Sequence, residues 1–204
     1  MGQFLSVYDM DGIAPGRMIC GLGADVIFRF PLMRQIMASL GTQPAKRASI
    51  AKIFKSGYDC AVIPGGIAEM FTVSEDAETV YFRTRQNTVK AAIEEGAHIV
   101  PTFFFGNSKI FKVPRSDGLN DSWLAKFSRK FRASIILFYG RHGLPFCPFR
   151  HPLHIVSGDV VKVKQSDSPT AEEIADVQQR VIASIEKVYK EKKPDWETRP
   201  LVIL

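Results

Sequence analysis

The strongest indication of the fold is Cys60-Ala61-Val62-Ile63-Pro64-Gly65-Gly66-Ile67-Ala68-Glu69. A short apolar run, predicted to be a buried strand, ends in Pro64-Gly65-Gly66, and one carboxylate, Glu69, follows three residues later. Glycines after a strand let the backbone approach a ligand closely, and a helix that begins there offers unpaired N–H groups. Open α/β sheets bind ligands at turns of this kind. A plain connection between a strand and a helix is the alternative interpretation.

Strands and helices alternate on both sides of this turn. Apolar spacing and glycine stops predict helices at 31–40, 86–95 and 121–131, and a long helix that begins at Thr170. A further helix is predicted around Ile50, Ile53 and Phe54, with Gly57 as its stop. Apolar runs predict strands at 59–63, 79–84, 99–104, 134–139 and 154–163. This alternation predicts an α/β fold with a largely parallel central sheet flanked by helices.

The long C-terminal helix carries the clearest local pattern. Thr170 and Glu173 have the spacing of a capping box, in which each side chain binds the other's backbone N–H. Apolar residues then recur at helical spacing and predict one buried face, formed by Ile174, Val177, Val181, Ile185 and Val188.

Bulk composition restricts the class of protein. The chain has 204 residues, 46% of them hydrophobic, which is enough for one globular domain with a substantial core. Its net charge of +6 suits an anionic membrane surface, an acidic ligand or nucleic acid, and equally suits a solvated basic surface. We predict no nucleic-acid partner, because the sequence contains no ribonucleoprotein signature, zinc spacing or arginine-rich tail. The pattern makes no prediction of an oligomeric state.

Other features predict no metal site and no membrane span. The three cysteines are widely spaced among apolar neighbours, which predicts buried free thiols in a reducing compartment. No run approaches the roughly 18 apolar residues of a spanning helix. A basic and aromatic helix at 121–132 has the pattern of an interfacial helix, and an ordinary surface helix explains it equally well.

Ordered sequence blocks resemble the type 2 diacylglycerol acyltransferase family, which includes monoacylglycerol and wax-ester acyltransferases. The resemblance runs from about residue 25 to about residue 189. The blocks are Pro64-Gly65-Gly66-x-x-Glu69, Arg83-x-Arg85, Val89-Lys90-x-Ala92-x-x-x-Gly96-Ala97-x-Ile99-Val100-Pro101, Phe105-Gly106-Asn107, Tyr139-Gly140-Arg141-x-Gly143 and Arg150-x-Pro152-x-x-x-Val156-x-Gly158.

The resemblance implies a glycerolipid acyltransferase fold and an O-acyltransferase of neutral lipid synthesis. It implies acyl-coenzyme A as co-substrate, with no bound cofactor, and mono- or diacylglycerol as the lipid alcohol that accepts the acyl group. It also implies work at the cytosolic face of the endoplasmic reticulum membrane. We expect residues 25–204 to form the acyltransferase-like domain and residues 1–24 to be a divergent or truncated N-terminal segment.

The resemblance also implies a set of site residues. Glu69 is expected to anchor the site, although a glutamate in the first turn of a helix is favoured by the helix dipole in any case. Close approach of the backbone to a ligand is expected at Pro64, Gly65, Gly66 and Gly106, and Asn107 adds an amide. Arginines that would pair with the phosphates of coenzyme A, or else form surface salt bridges, are Arg83, Arg85 and Arg141. We further expect the turns at 64–66 and 105–107 to lie at the same end of neighbouring strands.

The expected general base is missing from its position. Acyl transfer from a thioester to an alcohol needs a base for the hydroxyl proton and donors for the oxyanion. The family places a histidine in a His-Pro-His-Gly motif, whereas the matching stretch here is Tyr8-Asp9-Met10-Asp11-Gly12-Ile13. Asp11 stands in for the histidine, and a carboxylate with an ordinary pKa near 4 is a poor base for an alcohol.

Two explanations of this replacement stay open. In the first, the start of the chain is truncated and the motif lies upstream. In the second, the chain is a catalytically dead family member that acts as a membrane-associated binding or regulatory protein. His142 follows a glycine turn and is the first candidate for a substitute base, whereas His151 and His154 are predicted to be surface or strand-edge residues. A soluble phosphate- or nucleotide-binding domain built on the Gly65-Gly66 turn is a third, weaker hypothesis.

Overall fold

The structure, a computed structural model, describes residues 18–65, 76–112, 139–144 and 147–204. The predicted helix at 121–131 and nearly all of the predicted strand at 134–139 lie outside the described residues. The chain divides into two compact units, residues 1–64 and residues 65–204.

The first unit contains a three-stranded parallel sheet. Its strands are β1 (Ile19–Gly23), β2 (Gln43–Pro44) and β3 (Asp59–Ala61), in the order β2-β1-β3. Two helices connect them, α1 (Pro31–Ser39) and α2 (Arg47–Lys55). Helices between parallel strands are the connection that an α/β fold requires.

Helix α1 begins at the predicted Pro31, whereas α2 begins at Arg47, three residues before the first apolar residue that predicts it, and both helices end just before their predicted glycines. Pro31 begins α1, where its fixed φ suits the first turn, and Gly41 and Gly57 follow the two helices with φ of +70° and +77°. The face of Leu32, Ile36 and Leu40 is not buried, however, and the side chain of Leu32 is 69% exposed. The buried hydrophobic residue that the structure records in this unit is Ile53.

The second unit contains two small two-stranded sheets. Strand β4 (Glu78–Val80) pairs in parallel with β7 (Leu201–Ile203), and β5 (Thr102–Phe105) pairs antiparallel with β6 (His154–Ser157). An isolated bridge between Ile99 and Val161 extends the second pairing, in agreement with the longer apolar runs in the sequence. Strand β7 was not predicted.

Two helices cover these sheets, α3 (Gln86–Glu94) and α4 (Ala171–Lys192). The capping box at the start of α4 is confirmed, because Thr170 and Glu173 each bind the other's backbone N–H. The predicted apolar face is confirmed as well. It packs in a core with Phe82, with residues of α3 and with the chain after β6. The buried residues of this core are Phe82, Val89, Ile93, Val161, Val163, Ile174, Val177, Val181 and Ile182.

The α/β class with mostly parallel pairing is confirmed, but the strands are divided among three small sheets. The expectation that the turns at 64–66 and 105–107 follow neighbouring strands stays a prediction, because β3 belongs to the first unit and β5 to the second. Strand β3 pairs with β1, whereas β5 pairs with β6. An apolar run predicts that a strand exists, but its partner depends on contacts distant in sequence.

None of the described helices is both long enough and apolar enough to cross a bilayer. The three cysteines are free thiols and half-buried. Cys20 and Cys60 are register partners in neighbouring strands, and burial raises the pKa of the Cys60 thiol to about 11.

Candidate functional site

A buried network of charged side chains lies in the second unit, centred on Arg199. Its guanidinium group donates two hydrogen bonds to the carboxylate of Glu197, from Nε at 2.8 Å and from Nη2 at 2.7 Å. Nη2 also forms an ion pair with Glu78 and donates to Ser108 Oγ at 3.1 Å. Glu197, Glu78 and Arg199 are only 1%, 9% and 9% exposed. Buried charges of this kind are tolerated only when they are paired and hydrogen-bonded.

Three elements bring this network together. Glu78 is the first residue of β4, and it pairs with Leu201 of β7, two residues after Arg199. Ser108 lies in a short 3-10 turn, Asn107–Lys109, directly after β5, and donates to Glu78 Oε2 at 2.9 Å. From α4, the hydroxyl of Tyr189 donates to the carbonyl of Arg199 at 2.9 Å. The network therefore ties the turn after β5 to the C-terminal strand.

The surroundings set the pKa values of these groups in opposite directions. Hydrogen bonds from Arg199 lower the pKa of Glu197 to about 2. Burial outweighs the attraction of Arg199 at Glu78 and raises the pKa of that carboxyl group. Burial, reinforced by the neighbouring Glu197, raises the pKa of Tyr189 to about 12. Glu197 is therefore the firmly ionised partner of Arg199, and Glu78 is the carboxylate that burial disfavours.

The predicted site glycine Gly106 lies beside this network, at the end of β5. Its backbone has φ of +84°, and a Cβ atom placed there would lie 2.3 Å from the carbonyl oxygen of Pro152 and 2.9 Å from His151 Nδ1. The rings of His151 and Trp196 meet edge to face at 4.9 Å. The turn after β5, the entry to β6 and the C-terminal segment thus pack against one another at a position that only glycine fits.

Asn107 and Lys109 follow Gly106 in the same turn. Asn107 is exposed, as a ligand-contacting amide has to be. The ammonium group of Lys109 lies 3.3 Å from Glu197 Oε2 and 5.6 Å from the centre of the Trp196 ring. The network fixes the backbone of this turn and leaves the Asn107 side chain accessible.

A second pair of predicted residues is brought together at the other glycine turn. Arg85 Nη2 donates to the carbonyl of Gly65 at 3.1 Å, and the guanidinium group lies 4.9 Å from the centre of the Tyr81 ring. Among the described residues, the buried Nε of Arg85 has no hydrogen-bond partner. Arg85 therefore supports the backbone at Gly65, and Pro64, the residue before it, is half-buried.

Arg141 and His142 lie in a third turn, Arg141–Gly143. The Nε of Arg141 donates to the carbonyl of Pro148 at 3.2 Å, which makes it a support for the following loop. His142 is exposed and has a left-handed φ of +60°. Backbone hydrogen bonds between Lys112 and Tyr139, at 2.8 and 2.9 Å, join this segment to the chain that continues from the Asn107–Lys109 turn.

The remaining predicted arginine, Arg83, lies apart from these turns, beside β7. Its Nε donates to the carbonyl of Ile203 at 2.9 Å, and its side chain lines a groove between β7 and the end of α4. Asp11, Gly66 and Glu69 lie outside the described residues, so their roles stay predictions.

The network residues Glu78, Glu197 and Arg199 were not singled out from the sequence. Acidic and basic residues are common in loops, and nothing local distinguishes a buried one from an exposed one. The available pattern was Trp196-Glu197-Thr198-Arg199, in which two opposite charges two residues apart precede the apolar run of β7. In the structure these two side chains pair directly, through two hydrogen bonds from the Arg199 guanidinium group to the Glu197 carboxylate.

Comparisons with known proteins agree with the sequence blocks. The profile of the diacylglycerol acyltransferase family matches residues 6–203. The chain is 29% identical to 2-acylglycerol O-acyltransferase 1 of Bos taurus, over 81% of this chain and 52% of that protein. It is 28% identical to diacylglycerol O-acyltransferase 2B of Umbelopsis ramanniana, over 81% of this chain and 51% of that protein.

A third relative is diacylglycerol O-acyltransferase 1 of Eremothecium gossypii, at 27% identity over 81% of this chain and 38% of that protein. The chain thus spans about half, or less, of the length of these curated relatives. No solved structure matches. Since the family profile covers nearly all of the sequence, this chain belongs to the diacylglycerol acyltransferase family.

Proposed function

We propose that this chain carries the acyl-transfer domain of an acyl-coenzyme A-dependent O-acyltransferase of neutral lipid synthesis. The acyl donor is acyl-coenzyme A, and the acceptor is the hydroxyl group of mono- or diacylglycerol at the cytosolic face of the endoplasmic reticulum membrane. One observation carries the proposal: the family profile matches residues 6–203, and the relatives are named as diacylglycerol and 2-acylglycerol O-acyltransferases.

The packing of the described turns supports a site at the end of β5. Gly106 and Asn107 are held by the buried charge network on one side and by His151 and Pro152 on the other. A turn so restrained keeps its backbone groups in one geometry before a substrate arrives, and the exposed Asn107 amide is accessible beside them. Preorganised donors stabilise the charge that develops on the carbonyl oxygen during acyl transfer.

The chain lacks a histidine at the position where the family motif places the general base. Asp9 and Asp11 occupy the positions of the two histidines in the family motif. A carboxylate with an ordinary pKa takes up the proton of an alcohol too weakly to drive the reaction at neutral pH. We therefore expect the chain to transfer little or no acyl group, while it retains the binding surfaces for donor and acceptor.

The experiment rebuilds the motif. The unchanged chain, the Asp9→His/Met10→Pro/Asp11→His variant and a matched Asp9→Asn/Asp11→Asn control are incubated with labelled oleoyl-coenzyme A and diacylglycerol in vesicles. We expect triacylglycerol above background only from the histidine variant, because only an imidazole has a pKa near the working pH. Triacylglycerol well above background from the unchanged chain, and equally from the asparagine control, would show that the base lies elsewhere, and His142 would be the first residue to replace.

The same two aspartates favour a second candidate function, a binding or regulatory protein without turnover. Such a protein would bind labelled acyl-coenzyme A or diacylglycerol and release it unchanged. Equilibrium binding by the unchanged chain, together with no product from any of the three proteins, would favour this candidate over the enzyme.

A further inference from the structure

A groove on the second unit carries positive charge that the proposed chemistry does not use. We call it the C-terminal groove, since it lies between the last turns of α4 and the strand β7. It has a volume of about 510 Å³, within the range of small-molecule sites. Its charged lining is Arg83, Lys190, Lys193 and Arg199 against one carboxylate, Glu186. Because Arg199 is neutralised by Glu197 and Glu78, the positive charge that remains comes from the other three cations.

Arg83 is held in place from three directions. Its backbone N–H donates to the carbonyl of Leu204 at 2.7 Å, and its own carbonyl accepts from Nε2 of the buried Gln178 at 2.8 Å. Its Nε donates to the carbonyl of Ile203 at 2.9 Å. The Nε hydrogen bond restrains the guanidinium group at the groove, which lowers the entropic cost of binding an anion.

The two lysines stand on the opposite wall, three residues apart at the end of α4. Lys193 lies 5.7 Å from the centre of the Tyr189 ring, which positions its ammonium group. Within the described residues, no ion pair is recorded for Arg83, Lys190 or Lys193. In the described lining these three cations outnumber the one carboxylate, Glu186, and an anion placed among them relieves their mutual repulsion.

The floor of the groove is apolar. Pro200, Leu201 and Ile203 contribute to the lining, next to the ring of Tyr189. A ligand that fits must combine anionic groups for the rim with a flat or apolar portion for the floor. Inorganic phosphate satisfies only the first condition, whereas a nucleotide satisfies both.

We propose that the C-terminal groove binds the phosphate groups of a nucleotide, and that this nucleotide is the 3′-phospho-ADP portion of coenzyme A. The choice of coenzyme A over other nucleotides rests on the proposed function. The arginine forks onto one phosphate group and the lysines bind as point charges, as guanidinium and ammonium groups do with phosphates elsewhere. Of the three arginines that the sequence suggests for this role, Arg83 is the one that lines the groove.

The test measures binding of free coenzyme A to the 204-residue chain by titration calorimetry, with no turnover required. The Lys190→Gln/Lys193→Gln variant removes two rim charges, and Arg83→Gln removes the third. The matched control, Lys164→Gln/Lys192→Gln, removes the same net charge at two exposed lysines that do not line the groove. Circular dichroism checks that each protein is folded.

We expect each groove variant to bind coenzyme A at least about tenfold more weakly than the unchanged chain, and the control to bind within about twofold of it. Affinity should fall as ionic strength rises. Equal binding of coenzyme A by the unchanged chain and both groove variants would overturn the proposal that the C-terminal groove binds its phosphates. Acyl-coenzyme A would remain the donor in the proposed function.

A parallel arm uses vesicles with and without phosphatidic acid. In one outcome the chain binds the acidic vesicles through Lys190 and Lys193 and yet does not bind coenzyme A. That result would overturn the proposal of a nucleotide ligand and would assign the groove to a lipid phosphate. Absence of both kinds of binding overturns the site altogether. The acyl-transfer experiment with the rebuilt motif has a separate readout, so failure of the groove and failure of the proposed function are distinguishable.

Discussion

Gly106 shows how a single residue controls the candidate site. With φ of +84° it adopts a backbone conformation that costs other residues about 1 kcal/mol, and the space around it is already occupied by Pro152 and His151. The turn after β5 can therefore approach the entry to β6 only because the side chain is absent.

The first prediction follows from this contact. Gly106→Ala should lower the free energy of unfolding by about 2–4 kcal/mol, since the new Cβ would collide with the Pro152 carbonyl oxygen as well as strain the backbone. Urea denaturation measures the change. Gly143→Ala is the control, because Gly143 has φ of +72° but no described atom within 4 Å of the position that a Cβ would take, and it should cost only about 1 kcal/mol. If Gly106→Ala and Gly143→Ala lowered the free energy of unfolding equally, the close contact between Gly106 and the Pro152 carbonyl oxygen would be contradicted.

The second prediction concerns the acid limb of stability. Arg199 holds the pKa of Glu197 at about 2, below its ordinary value, so the folded state binds fewer protons than the unfolded chain. This stabilisation is fully present above about pH 4.5 and is lost as the pH falls toward 2. Glu78 acts in the opposite sense, because burial raises its pKa and its destabilising effect fades on protonation.

Glu197→Gln should therefore flatten the loss of stability between about pH 4.5 and pH 2, and should lower the free energy of unfolding at pH 7 by about 2 kcal/mol. Urea midpoints at several pH values give both quantities. The exposed Glu191→Gln change on α4 is the control and should leave the profile unaltered. An acid limb that is equally steep in the Glu197 variant would show that the ion pair does not contribute to it.

At the scale of elements, α4 is the longest of the described helices. It has 22 residues, a capping box at its start and one buried face, and the side chain of Ser184 and that of Val188 pack against Gly158 so closely that a Cβ there would lie 2.7 Å from each. The helix thus packs directly against the backbone at Gly158, just after β6. It also supports the backbone of Arg83, through the hydrogen bond from Gln178. Helices of this kind are stabilised mainly by tertiary packing, with the cap as a smaller local term.

The third prediction measures that local term. Thr170→Ala removes the hydroxyl group that accepts from the Glu173 backbone N–H, and should lower the free energy of unfolding by about 1 kcal/mol. Thermal and urea unfolding measure the loss. Ser168→Ala, at an exposed position just before the helix, is the matched control and should change stability by less than about 0.5 kcal/mol. A loss at Ser168 as large as that at Thr170 would contradict the assignment of the cap.

At the scale of the whole molecule, the two units differ in how well they are packed. Both hydrophobic clusters that the structure records belong to residues 80–203 of the second unit. In the described part of the first unit, Ile53 is the buried hydrophobic residue, and Phe30, Leu32, Val62 and Ile63 are exposed. A unit needs an apolar core large enough to offset its conformational entropy.

The fourth prediction is that residues 65–204 fold without the first unit, whereas residues 1–64 do not fold alone. The first fragment should show cooperative urea unfolding and the helical circular dichroism signal of α4, and the second should show neither. The full chain provides the reference transition. A fragment 65–204 that is unfolded in water would show that its core is incomplete without residues 1–64.

Local structure and family membership follow from the amino-acid sequence alone. The helix stops at Gly41, Gly57 and Gly96, the capping box of α4 and its buried face all depend on residues within a few positions of one another. The family follows from ordered blocks, and the alternation of elements follows from apolar spacing, so both are properties of the linear chain.

Only the tertiary structure decided which strands pair and which charges are buried. Strand β4 pairs with β7 at the far end of the chain, and Glu78 thereby meets Arg199 across more than a hundred residues. The same long-range pairing places Arg83 against Ile203 and opens the C-terminal groove beside it. Such contacts are selected by packing and by the mutual pairing of charges in a low-dielectric interior, and neither of these is expressed in the local pattern of residues.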